Sequence, residues 1–342
     1  MRIKLLIGLE RLDIEGEEKL KGPISFGEFT LMPATESILN YIEIKDVMLN
    51  EMLKYITITE YELNSDDFII DVKEMHPELK NKKYSITEYD DVVQINAKGL
   101  KIVITKELYL GGDRFIDEPK IVQGVIQNKV GPFITAFHLY KSGFVNPFPI
   151  VIEFIRDDGV KVSPIILGIY ISNLMVREGY FLSYDELGKF SKFLTDNIDI
   201  LSKTIKNEPA FSYFNRGLID EDLSANIMWY TDNKFSILDY IAGMESLFKI
   251  HDELKYRLSL YVAHALANNY EERIKYKELI SNLYDIRSKI AHGVNIGKTE
   301  EELEQGAEVI LRQLLNIYLL QYLAKGKNKE DFIEEIERKI LS

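Results

Sequence analysis

The segment LYDIRSKIAHG, residues 283–293, holds the two side chains best suited to chemistry, Arg287 and His292. A guanidinium presents a planar fork of N–H donors that fits phosphate oxygens. An imidazole takes up or releases a proton near neutrality. Read locally, the segment is the last two turns of an amphipathic helix whose apolar stripe is Leu283, Ile286 and Ile290. Arg287 and His292 lie off that stripe. Five residues apart, they are separated by about 140° on a helix of about 3.6 residues per turn, so a regular helix does not bring them onto one face. His292 comes last, where Gly293 is expected to stop the helix in a left-handed conformation. Its ring is then able to turn toward Arg287 or toward a partner chain. Arg and His also complement the negative end of a helix dipole, so spacing alone leaves an ordinary helix terminus as the alternative.

Glu245, in GMESLF, sits in the apolar part of another helix, where it either holds Arg287 by an ion pair or is a surface glutamate. Tyr284 and Asp285 flank the motif and are candidates to orient it. The other histidines are weaker candidates. His76 precedes Pro77 in an expected loop, His138 lies in an apolar run, and His251 sits at a helix junction. His264 falls within a helix, where a satisfied, half-buried ring is usual. No pair has metal-ligand spacing, and there is no P-loop, no G-x-G-x-x-G and no G-x-S-x-G. Neither a metal nor a cofactor is therefore expected. The doublets Asp66-Asp67, Asp90-Asp91 and Asp157-Asp158 fall in apparent turns, where Asp is favoured for backbone reasons.

The elements that must position these residues divide the chain in two. Up to about residue 165 the runs are short and β-rich: 3–9, 24–32, 41–49, 55–63, 91–97, 100–105 and 148–154, separated by turn signals. This predicts antiparallel sheet, as a sandwich or open barrel. From Ser183, which with Glu186 forms a capping box, apolar residues recur at three- and four-residue steps, predicting a helix to about Lys206. KNEPA (206–210) reads as an exposed linker. Helices follow at about 212–230, 233–250, 252–268, 270–292, 299–324 and 330–341, with Asn269/Glu272 and Thr299/Glu302 as start signals. The expected fold class is α+β. A β-rich domain over 1–182 and an all-α bundle over 208–342 are joined by a connecting helix and linker at 183–207.

Composition narrows the function classes. Of 342 residues, 46% are hydrophobic and 28% charged, an ordinary globular balance. The absence of cysteine excludes disulfides, thiolate-bound zinc and a thiol nucleophile. No run reaches the roughly 18–20 uncharged apolar residues of a membrane span. The start, MRIKLLIGLERLDIEGEE, turns acidic too early for a signal peptide, so a cytoplasmic location is expected. A net charge of −13 disfavours a nonspecific nucleic-acid coating protein. Within 252–292, however, seven basic residues stand against six acidic ones, and Lys289 lies two positions beyond Arg287.

The R-x4-H helix, followed by glycine and one more long helix, resembles the R-x4-6-H motif of HEPN domains, and LYDIRSKIAHG is similar in particular to the Apea-like group. The resemblance extends through FSYFNRGL (211–218), LDYIAGMESLF (238–248), ELKYRLSLYVAHAL (253–266) and ILRQLLNIYLLQYL (310–323), covering about residues 208–325. It implies a four- or five-helix bundle that dimerises, so that two R-x4-H segments meet in one composite site. Arg287 and His292 match the motif positions. Ser288 fits the polar residue that often follows the arginine, and Glu245 fits an acidic residue often found in an early helix. The tyrosine that follows the histidine in one toxin branch is absent, because Gly293 stands there. The implied activity is metal-independent RNA cleavage by the effector of an abortive-infection, anti-phage or toxin-type system. RNA is the substrate, the helices form a homodimer, and the β-rich part senses a phage or cellular trigger. The alternative, which some family members follow, is a catalytically silent scaffold that binds a protein or RNA partner.

Overall fold

The computed structural model describes residues 2–20, 22–35, 53–62, 69–89, 92–105, 109–111, 114–155, 165–167, 179–226, 235–292 and 301–342. The first strands are β1 (Arg2–Glu10), β2 (Leu12–Glu15), β3 (Ile24–Phe26), β4 (Phe29–Pro33), β5 (Tyr55–Glu62) and β6 (Ile69–Asp71). After a single turn of helix, α1 (Val72–Met75), come β7 (Tyr84–Glu88), β8 (Val92–Ala97), β9 (Leu100–Thr105), β10 (Tyr109–Gly111) and β11 (Arg114–Ile116). Helices α2 (Glu118–Val125) and α3 (Gly131–Tyr140) precede β12 (Asn146–Ile155), β13 (Ile165–Leu167) and β14 (Tyr180–Ser183). The protein is α+β, with antiparallel sheets in its N-terminal part and helices in its C-terminal part. The expected strand at 41–49, the acidic doublets, Gly293 and the Thr299 cap lie outside the described residues.

The main sheet has the order β13-β12-β1-β5-β4-β3, and β1 is paired antiparallel on both sides. Alternation splits β1 between two faces. Ile3, Leu5, Ile7 and Leu9 enter the large core, whereas Leu6 joins Ile56 and Val151 in a small cluster. What covers the large-core face is helical. Phe29 meets Phe133 of α3 at 4.2 Å between ring centroids, and Phe26 meets Phe190 at 5.2 Å. The continuous helix-like segment from 118 to 140 adds helix to a stretch in which the sequence predicts mostly short β-rich runs. Its apolar rhythm is broken where a wider π-type turn, Ile126–Val130, slips the register. Buried Val125 and Val130 are thereby five apart, not three or four.

The helical part contains α4 (Tyr184–Thr204), α5 (Pro209–Asn226), α6 (Phe235–Phe248), α7 (Leu254–Leu266), α8 (Tyr270–Ala291), α9 (Glu301–Ile317) and α10 (Lys329–Leu341). The Ser183–Glu186 box caps α4, with the Ser183 N–H donating to Glu186 Oε2 at 2.9 Å. Buried Leu187, Phe190, Leu194, Ile198 and Leu201 form its expected stripe. The turn into α5 exposes Lys206, Asn207 and Pro209 but buries Glu208, which Lys329 of α10 holds at 2.9 Å. α5 packs along α6 and α7 along α8, while α9 lies against α6.

The same apolar cluster runs from β1 to Ile336 of α10. Polar contacts stitch the two parts together. Asn215 of α5 donates to Thr135 Oγ1 at 2.8 Å, Arg312 of α9 to Ser142 Oγ at 2.6 Å, and Asn316 to the Leu139 carbonyl at 2.7 Å. No helix among the described residues is long and apolar enough to cross a membrane.

Candidate functional site

α8 starts where expected, with Asn269 Oδ1 accepting the Glu272 N–H at 2.9 Å. Its anchors are the buried Ile280, Leu283 and Ile286. Ile290 is partly buried against the core. This fixes the direction in which the remaining side chains point. Arg287, about one-third exposed at 34%, is directed toward α6, where Glu245 Oε2 lies 4.0 Å from its Nη2. That spacing is an ion pair at the outer limit of direct contact and too long for a hydrogen bond. The Arg287 guanidinium also sits over the Tyr284 ring, 5.4 Å from its centroid. Burial pushes the Tyr284 hydroxyl's pKa up, the neighbouring Glu245 carboxylate adds to this, and Arg287 opposes it. Glu245, Tyr284 and Arg287 therefore form one constellation.

The other expected members stand apart from it. Asp285 is exposed and held by Lys255 of α7 at 2.6 Å, so it supports the α7–α8 contact. Ser288 and Lys289 meet His292 through their backbone, each carbonyl accepting the His292 N–H at 3.1 Å. Lys289 itself is exposed. His292 ends α8 with φ −95° and ψ 8°, out of helical geometry, and its side chain faces solvent. Within one chain it does not join the Glu245–Tyr284–Arg287 group through any described contact.

Arg287 also lines a cleft of about 410 Å³. Its polar wall is Tyr213, Arg216, Asp239 and Arg287, and its apolar part is Leu238, Ala242 and Ala291. Ala291 directly precedes His292. Sequence reasoning missed Arg216 and Asp239 as site residues. Asp239 is buried, accepts from Arg216 Nε at 2.6 Å, and takes a second bond from Arg216 Nη2. Arg216 nevertheless keeps 58% of its side chain exposed and lies 5.0 Å above the Tyr213 ring. The signal was present as an aspartate inside the apolar run ILDYIAGM, matched by an arginine in YFNRGL. Two glycines permit the close helix packing behind this wall. A Cβ on Gly217 would stand 2.5 Å from Tyr240 Cε1, and one on Gly243 2.6 Å from Leu311 Cδ2.

Three of the remaining histidines have structural surroundings, and His251 is exposed. His76 Nδ1 is 3.2 Å from Glu78, and His264 Nδ1 is 2.9 Å from the Leu260 carbonyl. His138 is buried and accepts the Val145 N–H at 3.4 Å. Among the described residues, no three His, Asp or Glu side chains gather in a group able to hold a metal ion. Set against known proteins, the chain matches no protein-family model, no curated protein and no solved structure.

Proposed function

We propose that this protein is a metal-independent endoribonuclease with a HEPN-like C-terminal domain, acting as the effector of an abortive-infection or toxin-type system. The observation that carries this reading is the end of α8. Arg287 is held on a half-buried scaffold by Glu245 and Tyr284 and lines a cleft, while His292 stands exposed at the helix terminus beside the cleft wall. Cleavage of RNA by its own 2′-hydroxyl needs a base, an acid and positive charge at phosphorus; a positioned guanidinium supplies the charge, and a solvent-facing imidazole serves as base or acid.

In this reaction one imidazole removes the 2′-hydroxyl proton and the 2′-oxygen attacks phosphorus. The bond to the 5′-oxygen breaks, and a second imidazolium protonates the leaving oxygen. The products are a 2′,3′-cyclic phosphate and a 5′-hydroxyl. Arg287 neutralises charge on the phosphorane, a role worth on the order of 10²–10³ in rate, and acid–base transfer contributes about 10²–10⁴. Each chain provides one His292, so the reading places the site between two copies, with base and acid drawn from different chains. The β-rich part, joined to α5 and α9 by the Asn215, Arg312 and Asn316 contacts, is the natural restraint or trigger sensor in a cytoplasmic setting.

A silent scaffold that binds a protein or RNA partner is the second reading. It is favoured by the acidic partners already beside both arginines and by the net charge of −13. Expression of wild type and His292→Ala in bacterial cells separates the two. Growth arrest that disappears with the alanine supports the enzyme, and identical growth with both supports the scaffold.

A further inference from the structure

The cleft beside Arg287 carries more recognition chemistry than the cleavage reaction uses. Its volume of about 410 Å³ falls in the range of small-ligand sites, about 300–1,000 Å³. Two guanidiniums, from α5 and α8, line it together. Arg216 is preorganised, because the buried Asp239 carboxylate binds Nε and Nη2 and so fixes the plane of the fork. The Tyr213 ring beneath fixes its height. A carboxylate removed from water is a poor investment for stability alone. Here it aims a guanidinium that remains 58% exposed. Leu238, Ala242 and Ala291 complete the cleft with apolar surface. A ligand that uses the whole lining combines an anion fitted to planar donors with an apolar body. Inorganic phosphate satisfies only the first requirement, and a hydrocarbon only the second.

We propose that this cleft seats one nucleotide of the RNA next to the bond that is cut, with a phosphate bridged by Arg216 and Arg287 and its nucleoside against Tyr213 and Leu238. Arg216 is then a positioning residue that holds the strand in register for His292. This inference rests on the ribonuclease reading for its occupant, and the test keeps the two separable.

The measurement is binding of a short, fully 2′-O-methylated RNA, which reports association without cleavage, by fluorescence anisotropy across a salt series. Nucleoside monophosphate and inorganic phosphate serve as competitors. Arg216→Gln is expected to weaken binding about tenfold or more, as a lost charge-assisted contact does. Because that change strands a buried carboxylate, Arg216→Gln/Asp239→Asn is measured beside it. The double variant restores a neutral pair and should melt close to wild type yet still bind weakly. Its slope of log affinity against log salt should be shallower by about one. The monophosphate should compete better than inorganic phosphate. A double variant that is folded and binds as tightly as wild type, with the same slope, overturns the proposal. So does a wild type that binds the mononucleotide but not the oligonucleotide. Arg216-dependent binding without any cleavage of ordinary RNA would sustain the subsite and remove the nuclease reading. Cleavage indifferent to Arg216 would do the reverse.

Discussion

Gly217 tests whether close approach of α5 and α6 builds the cleft wall. A methyl group there would lie 2.5 Å from Tyr240 Cε1 and 2.9 Å from both Cδ1 and Cζ. Carbon atoms in contact prefer about 3.5–4.0 Å, so ring and helix must separate by roughly 1 Å. Tyr240 is fully buried and its rigid ring has no flexible end to yield. Overpacking of this kind costs about 1–3 kcal/mol. Against it stands the helix-forming advantage of Ala over Gly, about 0.5–1 kcal/mol. With the shortest approach at 2.5 Å placing the overpacking in the upper part of its range, Gly217→Ala should therefore destabilise by up to about 2.5 kcal/mol and disturb the neighbouring Arg216–Asp239 pair. Gly188, exposed in α4 with no atom within 4 Å of its added Cβ, isolates the second term. Gly188→Ala should stabilise by about 0.5–1 kcal/mol. Urea unfolding followed by circular dichroism gives both midpoints. A Gly217→Ala midpoint at or above wild type, with Gly188→Ala behaving as expected, would refute the reasoning.

Three further outcomes are expected. Size measurement at micromolar concentration should find a homodimer through the helical part, burying roughly 1,200 Å² or more, and a strict monomer that still cuts RNA would remove the composite site. Arg287→Lys should lose nearly as much activity as Arg287→Ala, on the order of 10²–10³, because an ammonium keeps the charge but not the fork; substantial activity in the lysine variant would contradict this. The Glu186 carboxylate is held below its ordinary pKa of 4.5 first by the Ser183 N–H and further by Lys141. A lowered folded-state pKa stabilises above the ordinary value and is lost as pH falls through the lowered one. Glu186→Gln should therefore cost about 1 kcal/mol near neutrality and converge with wild type in acid, as denaturation midpoints across pH will show.

The parts of this molecule legible in sequence are those where one physical signal acts alone. The stripe of α4, its Ser183 box and the Asn269 cap of α8 are local patterns, and local patterns fix local structure. The 118–140 segment was hidden because a register slip at Ile126–Val130 breaks the period on which such reading depends. The junction at 206–210 carries polar residues and a proline, yet Glu208 is buried because a lysine more than a hundred residues away reaches it. In the candidate site, Arg287 stood out because it lies in one contiguous segment with His292. Arg216 and Asp239 did not, because their pairing exists only once Gly217 lets α5 close on α6. Asp285 was drawn toward the motif by adjacency, whereas helix geometry turns it toward Lys255.

The central claim is that Arg287 and His292 cut RNA by internal attack of the 2′-hydroxyl. The measurement that bears on it most directly is incubation of the purified protein, in EDTA, with an end-labelled RNA and with the same sequence fully 2′-O-methylated. Wild type should cleave the first, leaving 2′,3′-cyclic phosphate and 5′-hydroxyl ends, and spare the second. His292→Ala and Arg287→Ala should each lose about 10²-fold or more of that activity. Cleavage that EDTA abolishes, cleavage of the methylated strand, or full activity in either alanine variant would contradict the account.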